Sequence, residues 1–345
     1  MSNIQLNFTG DLHKKFLLNF FKSLPSFYAH LESNRLVLAF FSAAGLEVLG
    51  ELESLKPEKK EAFVQWLYSL QVVDDKNKVS GFQGTSILNS AENRGQNSDY
   101  RWGHIATTYA ALCTLLVLGD DLSRVNRKSI IESLKYLQLA DGSFKAAKEG
   151  TEDDMRFVYC AAAVSHMLND WSGVNVDRMV DFIIKSISYE GGIGQGPGLE
   201  AHSGSTFCAV AALALSKNLH RLSRTQFKNL RRWLLNRLNG GFNGRPNKPF
   251  DTCYSFWTGG ALKILKAYDF IDTKECQDFI LTTQDKYGGI SKYINVVPDP
   301  MHTYLGLCGL SLMGVYELSP IFCELMISER ANNHLKNIQE KWKRD

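Results

Sequence analysis

Hydrophobic residues along this chain occur in runs that recur at nearly constant intervals. Five of these runs are apolar at almost every position, which is typical of helices buried on all sides. The segments between them alternate apolar and charged residues at helical spacing, as in Leu230–Leu238 and Cys276–Thr283. The pattern predicts alternating buried and amphipathic helices, and no stretch is typical of a strand. The buried runs are Ile105–Leu118, Val158–Leu168, Phe207–Leu215, Phe256–Leu265 and Tyr304–Met313.

Glycine-rich turns divide the chain with the same period. Gly142, Gly192, Gly241 and Gly289 lie 50, 49 and 48 residues apart, and Gly81–Gly84 is an earlier copy. A repeat of this length indicates stacked helical hairpins. We predict one all-α domain over residues 1–345, with about five hairpins from about residue 60 to 315. We expect an α/α barrel whose buried helices surround a central cavity, although the period alone does not distinguish a closed ring from an open solenoid.

Polar residues stand at equivalent places just before the buried helices. His104, Asp154, His202 and Asp251 are spaced by 50, 48 and 49 residues. In a closed ring these helix starts would meet at one end of the cavity. Asp and His at such places also serve as N-caps, and for each residue alone that explanation stays open.

A three-residue metal site is one interpretation of the segment around Asp251. Cys253 is two residues further on, and His302 follows Cys253 by 49 residues. Asp251 and Cys253 can converge if Asp251 is the N-cap and Cys253 lies in the first helical turn. One Asp, one Cys and one His with a fourth position free is a typical donor set for catalytic zinc. The alternative is that Cys253 is one of several small buried cysteines.

Two cations, Arg245 and Lys248, precede this candidate metal site closely. Together with His202 and Tyr254 they could hold a phosphate group, and the alternative is a solvated loop. The chain has no phosphate-binding P-loop and no dinucleotide-binding motif, so the sequence does not indicate a nucleotide.

Composition limits the remaining classes. The 345 residues are 44% hydrophobic and carry a net charge of +3, which argues against a nucleic-acid surface spread over the protein. We expect no signal peptide in the first eleven residues, and the apolar stretch Leu36–Leu49 is too short for a membrane span and contains Glu47. The seven cysteines are widely spaced, which favours a reducing compartment. We therefore expect a cytoplasmic protein that is not integral to a membrane.

Several of these segments resemble the β subunits of protein prenyltransferases. The resemblance extends from about Leu12 to about Gly314 and implies an α/α barrel. The segments that carry it are Asp153–Cys160, Leu118–Val125, Glu200–Cys208, Gly244–Lys248, Asp251–Trp257 and His302–Gly306.

The resemblance also implies roles for individual residues. It implies one zinc ion on Asp251, Cys253 and His302, which would keep the thiol of a substrate cysteine deprotonated. The isoprenoid diphosphate would be bound by His202, Arg245, Lys248, Tyr254 and Lys292. The lipid channel would be lined by Tyr159, Trp257 and Val37, although the first two are also consistent with ordinary core aromatics. The peptide substrate would contact Arg156, His104, Ala106 and Phe157.

Two positions favour one branch of this family. Lys292 stands ten residues before the zinc histidine, where farnesyltransferases and the Rab-specific enzyme have an aspartate that works with magnesium. Val37 stands where farnesyltransferases have tryptophan, which leaves room for a fourth isoprene unit. Both resemble the type I geranylgeranyltransferases, although threonine is expected at position 37 there. Arg156 favours an enzyme for CaaX peptides over the Rab-specific one.

The type I resemblance implies geranylgeranyl diphosphate as donor, CaaX proteins such as Rho-type small GTPases as acceptors, a separate α subunit, and no requirement for Mg²⁺. Farnesyltransferase and Rab geranylgeranyltransferase β subunits remain as alternatives. A terpene cyclase would need a DxDD motif, which the sequence lacks. A scaffold without catalysis is the remaining alternative, which intact zinc and diphosphate sets disfavour.

Overall fold

The computed structural model describes residues 7–74, 79–87, 102–148 and 151–344. Within these residues the protein is helical, with two short antiparallel strand pairs, β1–β2 and β3–β4. The helices are α1 (Gly10–Asn19), α2 (Arg35–Val48), α3 (Pro57–Ser69), α4 (Ile105–Leu118), α5 (Arg127–Leu137), α6 (Met155–Met167), α7 (Val176–Lys185), α8 (Ser203–Leu215), α9 (Arg224–Leu235), α10 (Tyr254–Ile264), α11 (Thr273–Thr282), α12 (Pro300–Leu312) and α13 (Glu329–Trp342); the strands are β1 (Gln71–Val72), β2 (Gly81–Phe82), β3 (Ile321–Phe322) and β4 (Ile327–Ser328).

The even-numbered helices from α2 to α12 form a closed inner ring. Each of them packs against the next, and α12 packs against α2. The expected α/α barrel is confirmed, and the closure rules out an open solenoid. Helices α3, α5, α7, α9 and α11 alternate with them along the chain. Each of these buries only one stripe, as when α9 buries Leu230, Trp233 and Leu234.

The predicted helix boundaries differ from the observed ones at the polar first turns. Helix α8 begins at Ser203 and α12 at Pro300, whereas the hydrophobic runs began four residues later in each case. The inner helix α2 was missed because no glycine-rich turn of the repeat precedes it. The strand pairs were also missed, since strands of two residues are too short to show an alternating pattern.

Backbone hydrogen bonds hold the starts of five of the six inner helices, α2 to α10, to a later turn. The N–H of Ile105 donates to Ala146, that of Met155 to Gln195, and that of Ser203 to Gly244. The same arrangement recurs from Leu36 to Gly84 and from Thr252 to Lys292. The helix starts therefore gather at one end of the ring, next to the loops that carry the candidate site residues.

The opposite end of the ring is closed by the β3–β4 hairpin. The Tyr109 hydroxyl donates to the carbonyl oxygen of Leu325 over 2.9 Å, and the Tyr304 hydroxyl donates to that of Met326. Arg330, at the start of α13, donates to the Val117 carbonyl near the end of α4. No helix in the described part of the chain has the length and apolar character needed to cross a membrane.

Candidate active site

Three of the four polar residues identified before the inner helices are N-caps at one rim of the ring. The side chains of His104, Asp154 and His202 each accept the backbone N–H two residues further on. Asp299 caps α12 in the same way through the N–H of His302. Capping therefore explains why these residues precede helices. Because the ring is closed, their side chains stand around a common opening.

The sequence predicted Asp251 as the N-cap of α10, and this prediction is wrong. The helix begins at Tyr254, and Cys253 takes the capping position. The cause is a preceding turn in which the Tyr254 N–H donates to the Asp251 carbonyl over 3.1 Å. The Asp251 carboxylate accepts the Cys253 N–H over 3.0 Å, and this turn brings the two side chains to the same side.

Asp251, Cys253 and His302 form a cluster suited to a metal ion. Their ligand atoms all lie within 4.8 Å of one another, and all three residues are buried. The Nε2 atom of His302 is 3.3 Å from Oδ1 of Asp251. In a tetrahedral zinc site with bonds of about 2.0–2.3 Å, the ligand atoms lie only slightly further from one another than the 3.3 Å between His302 and Asp251. Small side-chain rotations would therefore complete the geometry.

The charges within the cluster also suit a divalent cation. Burial, reinforced by the nearby Asp251 carboxylate, raises the pKa of the Cys253 thiol well above its usual value. Burial alone would lower the pKa of His302, but hydrogen bonds to Asp251 and Asp299 outweigh it and raise that pKa to about 9. Without a cation the thiol and the ring therefore keep their protons, and metal binding would displace them.

Asp299 orients the histidine of this cluster and was not predicted from the sequence. Its Oδ2 lies 2.5 Å from Nδ1 of His302, on the side of the ring opposite Asp251. A carboxylate in this position fixes the tautomer and direction of a metal-binding imidazole. The spacing of 49 residues, counted from Asp251, leads to Pro300, one residue after Asp299, but an acidic residue three positions before the histidine was a usable indication.

Lys292 lies beside the cluster. Its Nζ is 3.6 Å from Oδ2 of Asp251, and its side chain is half exposed. Its carbonyl oxygen accepts the Thr252 N–H over 3.0 Å and the Thr252 hydroxyl over 3.1 Å. The segment after Gly288 and Gly289, both at positive φ, is thus fixed next to the candidate metal ligands.

His202 and Tyr254 form a hydrogen-bonded pair at the rim. The Nδ1 atom of His202 accepts the Gly204 N–H over 3.0 Å, so in the neutral ring Nε2 carries the proton. Burial, followed by the positive charge of Arg245, lowers the pKa of His202 and favours this neutral form. Nε2 lies 3.0 Å from the Tyr254 hydroxyl and donates to it, which leaves the hydroxyl proton for a ligand.

Two cations of the predicted diphosphate set make no hydrogen bond to this pair in the part of the chain that the structure describes. Arg245 pairs with Glu200, with Nη1 and Oε2 2.5 Å apart. Lys248 is exposed, and within the described residues its side chain has no hydrogen bond or ion pair. The structure therefore brings His202 and Tyr254 together, and it leaves Lys248 unengaged.

The residues predicted to bind the peptide meet at the starts of α4 and α6. The ring centroids of His104 and Phe157 are 5.9 Å apart, and the Ala106 N–H donates to Nδ1 of His104 over 3.2 Å. Arg156 lies over the Phe157 ring, with 5.2 Å to its centroid. The guanidinium is paired with Asp154 and Glu152.

The predicted channel residues belong to a larger aromatic layer. Tyr159 contacts Phe207 with ring centroids 5.6 Å apart, and Trp257 contacts Phe207 with centroids 5.1 Å apart. Val37 is partly buried in the first turn of α2, one turn before Phe41, which packs against Tyr304. Most of this layer was not predicted from the sequence, although an aromatic residue stands five positions after each of His104, Asp154, His202, Asp251 and Asp299: Tyr109, Tyr159, Phe207, Phe256 and Tyr304.

Comparison with known proteins agrees with this architecture. Residues 8–339 match the family described as Prenyltransferase alpha-alpha toroid domain. The chain is 38% identical to a geranylgeranyl transferase type-1 subunit beta of Arabidopsis thaliana, over 94% of this chain and 90% of that protein. It is 35% identical to the protein of the same name from Dictyostelium discoideum, over 92% and 94%.

A solved structure is similar over nearly the whole length. Candida albicans protein geranylgeranyltransferase-I, in a structure with GGPP, superposes with a TM-score of 0.87 and 26% identity, covering 96% of this chain and 99% of that one. The family match, the two relatives and this structure agree with one another. The chain therefore belongs to the prenyltransferase alpha-alpha toroid family, together with the β subunits of type-1 geranylgeranyl transferases.

Proposed function

We propose that this chain is the catalytic β subunit of a type I protein geranylgeranyltransferase, acting in the cytoplasm with a separate α subunit. It would transfer a geranylgeranyl group from geranylgeranyl diphosphate to the cysteine of C-terminal CaaX motifs, as on Rho-type small GTPases. The observation that carries the proposal is the buried Asp251, Cys253 and His302 cluster with Lys292 beside it, 3.6 Å from Asp251.

The donor set fits zinc, since one carboxylate, one thiolate and one imidazole leave a fourth position for a substrate sulfur. Zinc bound there would hold the peptide thiol as a thiolate near neutral pH. In the reaction a bond forms between that sulfur and carbon 1 of the lipid, and the bond from carbon 1 to the diphosphate oxygen breaks. The diphosphate leaves with the electron pair of that bond, and the thiol proton passes to solvent.

The chain's own residues would stabilise the leaving diphosphate as its charge grows. Tyr254 would donate its hydroxyl proton, held in position by Nε2 of His202. Arg245, Lys248 and Lys292 would supply positive charge, and binding would require Arg245 to exchange Glu200 for a phosphate oxygen. Because Lys292 already provides a cation, Mg²⁺ would not be required.

The test is a prenyl-transfer assay on the chain co-expressed with its α subunit. Both lipid diphosphates are offered with peptides that end in Leu or Ser. We expect fastest transfer of the geranylgeranyl group to the Leu peptide, and one zinc per complex by atomic absorption. Cys253→Ala should remove both the zinc and the transfer while the complex stays folded. Faster transfer of the farnesyl group, or an active enzyme without zinc, would contradict the proposal.

A further inference from the structure

Helix α9 and the loop that leads into it carry a concentrated positive charge. Residues 217–237 contain seven Lys or Arg residues and no Asp or Glu. The whole chain has 39 basic and 36 acidic residues, so the rest of the chain is net acidic. This segment therefore accounts for the positive net charge of the protein.

Three of these cations form a single exposed stripe along α9. Arg224, Lys228 and Arg232 follow one another at intervals of four residues, so they share one face of the helix over about 12 Å. All three are exposed, and none makes an ion pair with any residue that the structure describes. In contrast, Arg221 is paired with Asp177 over 2.9 Å, and Arg237 lies buried over the Trp233 ring.

The stripe is not explained by the stability of the helix. Like charges four residues apart repel each other and destabilise an exposed helix. The neighbouring helices offer little compensation, because Asp177 and Asp181 of α7 engage Arg221. On α11, Asp278 engages Lys274. An external anionic partner would make the arrangement favourable.

An apolar groove borders the stripe. It has a volume of about 770 Å³ and is lined by Leu219, Phe227, Leu235 and Phe270 together with the cations of α9. Phe270 is 73% exposed at its edge. Cations on an amphipathic helix beside exposed aromatic and aliphatic groups are the composition of surfaces that lie on anionic lipid.

We propose that this surface, formed by α9, residues 217–223 and Phe270, docks the enzyme on membranes that contain anionic phospholipid. A membrane offers negative headgroups above an apolar layer, which matches the exposed cations of α9 and the exposed Phe270 beside them. The surface lies on the outer wall, so the inference does not depend on the active-site roles proposed above. It goes beyond that function by stating where an enzyme with a lipid substrate works.

The experiment uses the complete complex with its α subunit and sedimentation with vesicles. One set of vesicles is phosphatidylcholine alone, and the other contains about 30% phosphatidylserine, since anionic lipid attracts polybasic segments. The test variant is Arg224→Glu/Lys228→Glu/Arg232→Glu. The matched control, Lys128→Glu/Lys135→Glu/Lys185→Glu, reverses three exposed charges on α5 and α7.

We expect the wild type and the control to bind only the anionic vesicles, and the test variant to bind them at least about tenfold less. Binding should also weaken as salt rises from about 0.1 M to 0.5 M, because the charges are exposed. Peptide prenylation in solution should be equal in all three proteins, which shows that the complex is folded. If the test variant fails to fold, the neutral Arg224→Gln/Lys228→Gln/Arg232→Gln variant replaces it with the same expectation.

Unchanged vesicle binding by the test variant would overturn the proposal. So would a wild-type complex that binds polyglutamate but no vesicle, because that result assigns the surface to an acidic protein. A wild-type complex that shows no prenyl transfer or contains no zinc would count against the proposed function. The vesicle result would still decide the docking proposal on its own.

Discussion

Asp299 holds His302 by two hydrogen bonds, one to the ring and one to the backbone. Its Oδ2 is 2.5 Å from Nδ1 of the ring, and its Oδ1 accepts the His302 N–H over 2.9 Å. The same carboxylate therefore caps α12 and directs Nε2 of the ring toward Asp251. The start of an inner helix and the candidate metal site share this side chain.

Asp299→Asn should separate these two tasks. The amide oxygen can still cap α12, but the carboxylate that holds the imidazole is lost. We expect zinc affinity to fall about 10- to 100-fold with little change in thermal stability. Asp299→Ala should show the same loss of zinc and a further loss of about 1 kcal/mol in the free energy of unfolding, from the missing cap. Competition with a chelator measures the affinity. Asp272→Asn, at the N-cap of α11, is the control, and equal zinc affinity in Asp299→Asn would refute the role.

The position of the Tyr254 ring depends on the absence of a side chain at Gly244. A Cβ atom there would collide with the ring and hydroxyl of Tyr254. Gly244→Ala should therefore displace the hydroxyl from Nε2 of His202 and raise the KM for the lipid diphosphate by about tenfold, the effect of about one lost hydrogen bond to a charged group. Gly196→Ala, where a Cβ would make only ordinary contacts, should leave the KM unchanged. A normal KM in Gly244→Ala would show that Tyr254 does not bind the diphosphate.

The sequence predicted the arrangement of inner and outer helices because the hydrophobic pattern reports burial. Helices that are apolar all round are buried on all sides and lie inside, whereas amphipathic helices lie outside. The sequence also predicted that Asp251, Cys253 and His302 would lie together, because a repeat places equivalent positions at one end of the ring. It did not predict closure by α2, whose Arg35–Val48 run lacks the glycine-rich turn. It also did not predict that Arg245 pairs with Glu200, because that contact is set by side-chain rotamers rather than by spacing. Asp299 stands three residues before His302, but the spacing of the repeat led to Pro300 instead.

The side chain at position 37 should control lipid length if it lies where the resemblance implies. Val37 is partly buried in the first turn of α2, so tryptophan would project additional bulk from this wall of the ring. Val37→Trp should shift the preference toward the fifteen-carbon donor, with a stability loss of about 1–3 kcal/mol from overpacking. Val37→Thr, of nearly the same size, is the control. The ratio of farnesyl to geranylgeranyl transfer measures the effect, and an unchanged ratio in Val37→Trp would exclude position 37 as the length determinant.

His13 makes the docking of α1 sensitive to pH. Its ring is fully buried, accepts the Gly289 N–H at Nδ1 over 3.1 Å and lies 2.9 Å from Oε1 of Gln284 at Nε2. Burial lowers the pKa of His13 from 6.5 to about 4, although the hydrogen bond to Gln284 opposes the shift. Between these two pH values the unfolded chain binds a proton that the folded chain does not, so stability is full above pH 6.5 and declines as pH falls toward 4.

The loss over that range should be of the order of 3 kcal/mol. Denaturant unfolding at pH 7, 6, 5 and 4.5 measures it. His13→Gln replaces the titrating ring with an amide that can still form hydrogen bonds. The free energy of unfolding of this variant should depend less steeply on pH over this range. His30→Gln, at an exposed position, should keep the wild-type slope. Parallel pH profiles for His13→Gln and the wild type would contradict the assignment.

We expect the reaction to be independent of Mg²⁺ because of where Lys292 lies. The leaving diphosphate carries up to three negative charges, and the Lys292 ammonium lies 3.6 Å from Oδ2 of Asp251, at the edge of the candidate metal site. An aspartate there would add negative charge and could help only by holding a divalent cation between itself and the phosphates, which is how proteins commonly bind Mg²⁺. A protonated lysine cannot ligate Mg²⁺, but it supplies a compact positive charge of its own.

With zinc present, the wild-type rate should therefore be nearly flat in Mg²⁺. Lys292→Asp should slow transfer about 10- to 100-fold without Mg²⁺, less than for a fully buried group because the lysine is half exposed. It should recover partly as Mg²⁺ rises into the millimolar range. Lys292→Asn, which loses the charge without gaining a carboxylate, should be slow at every Mg²⁺ concentration, and zinc content must stay equal in all three proteins. A wild type that needs Mg²⁺, or an aspartate variant indifferent to it, would remove Lys292 from the diphosphate site and leave neutralisation to Arg245, Lys248 and Tyr254.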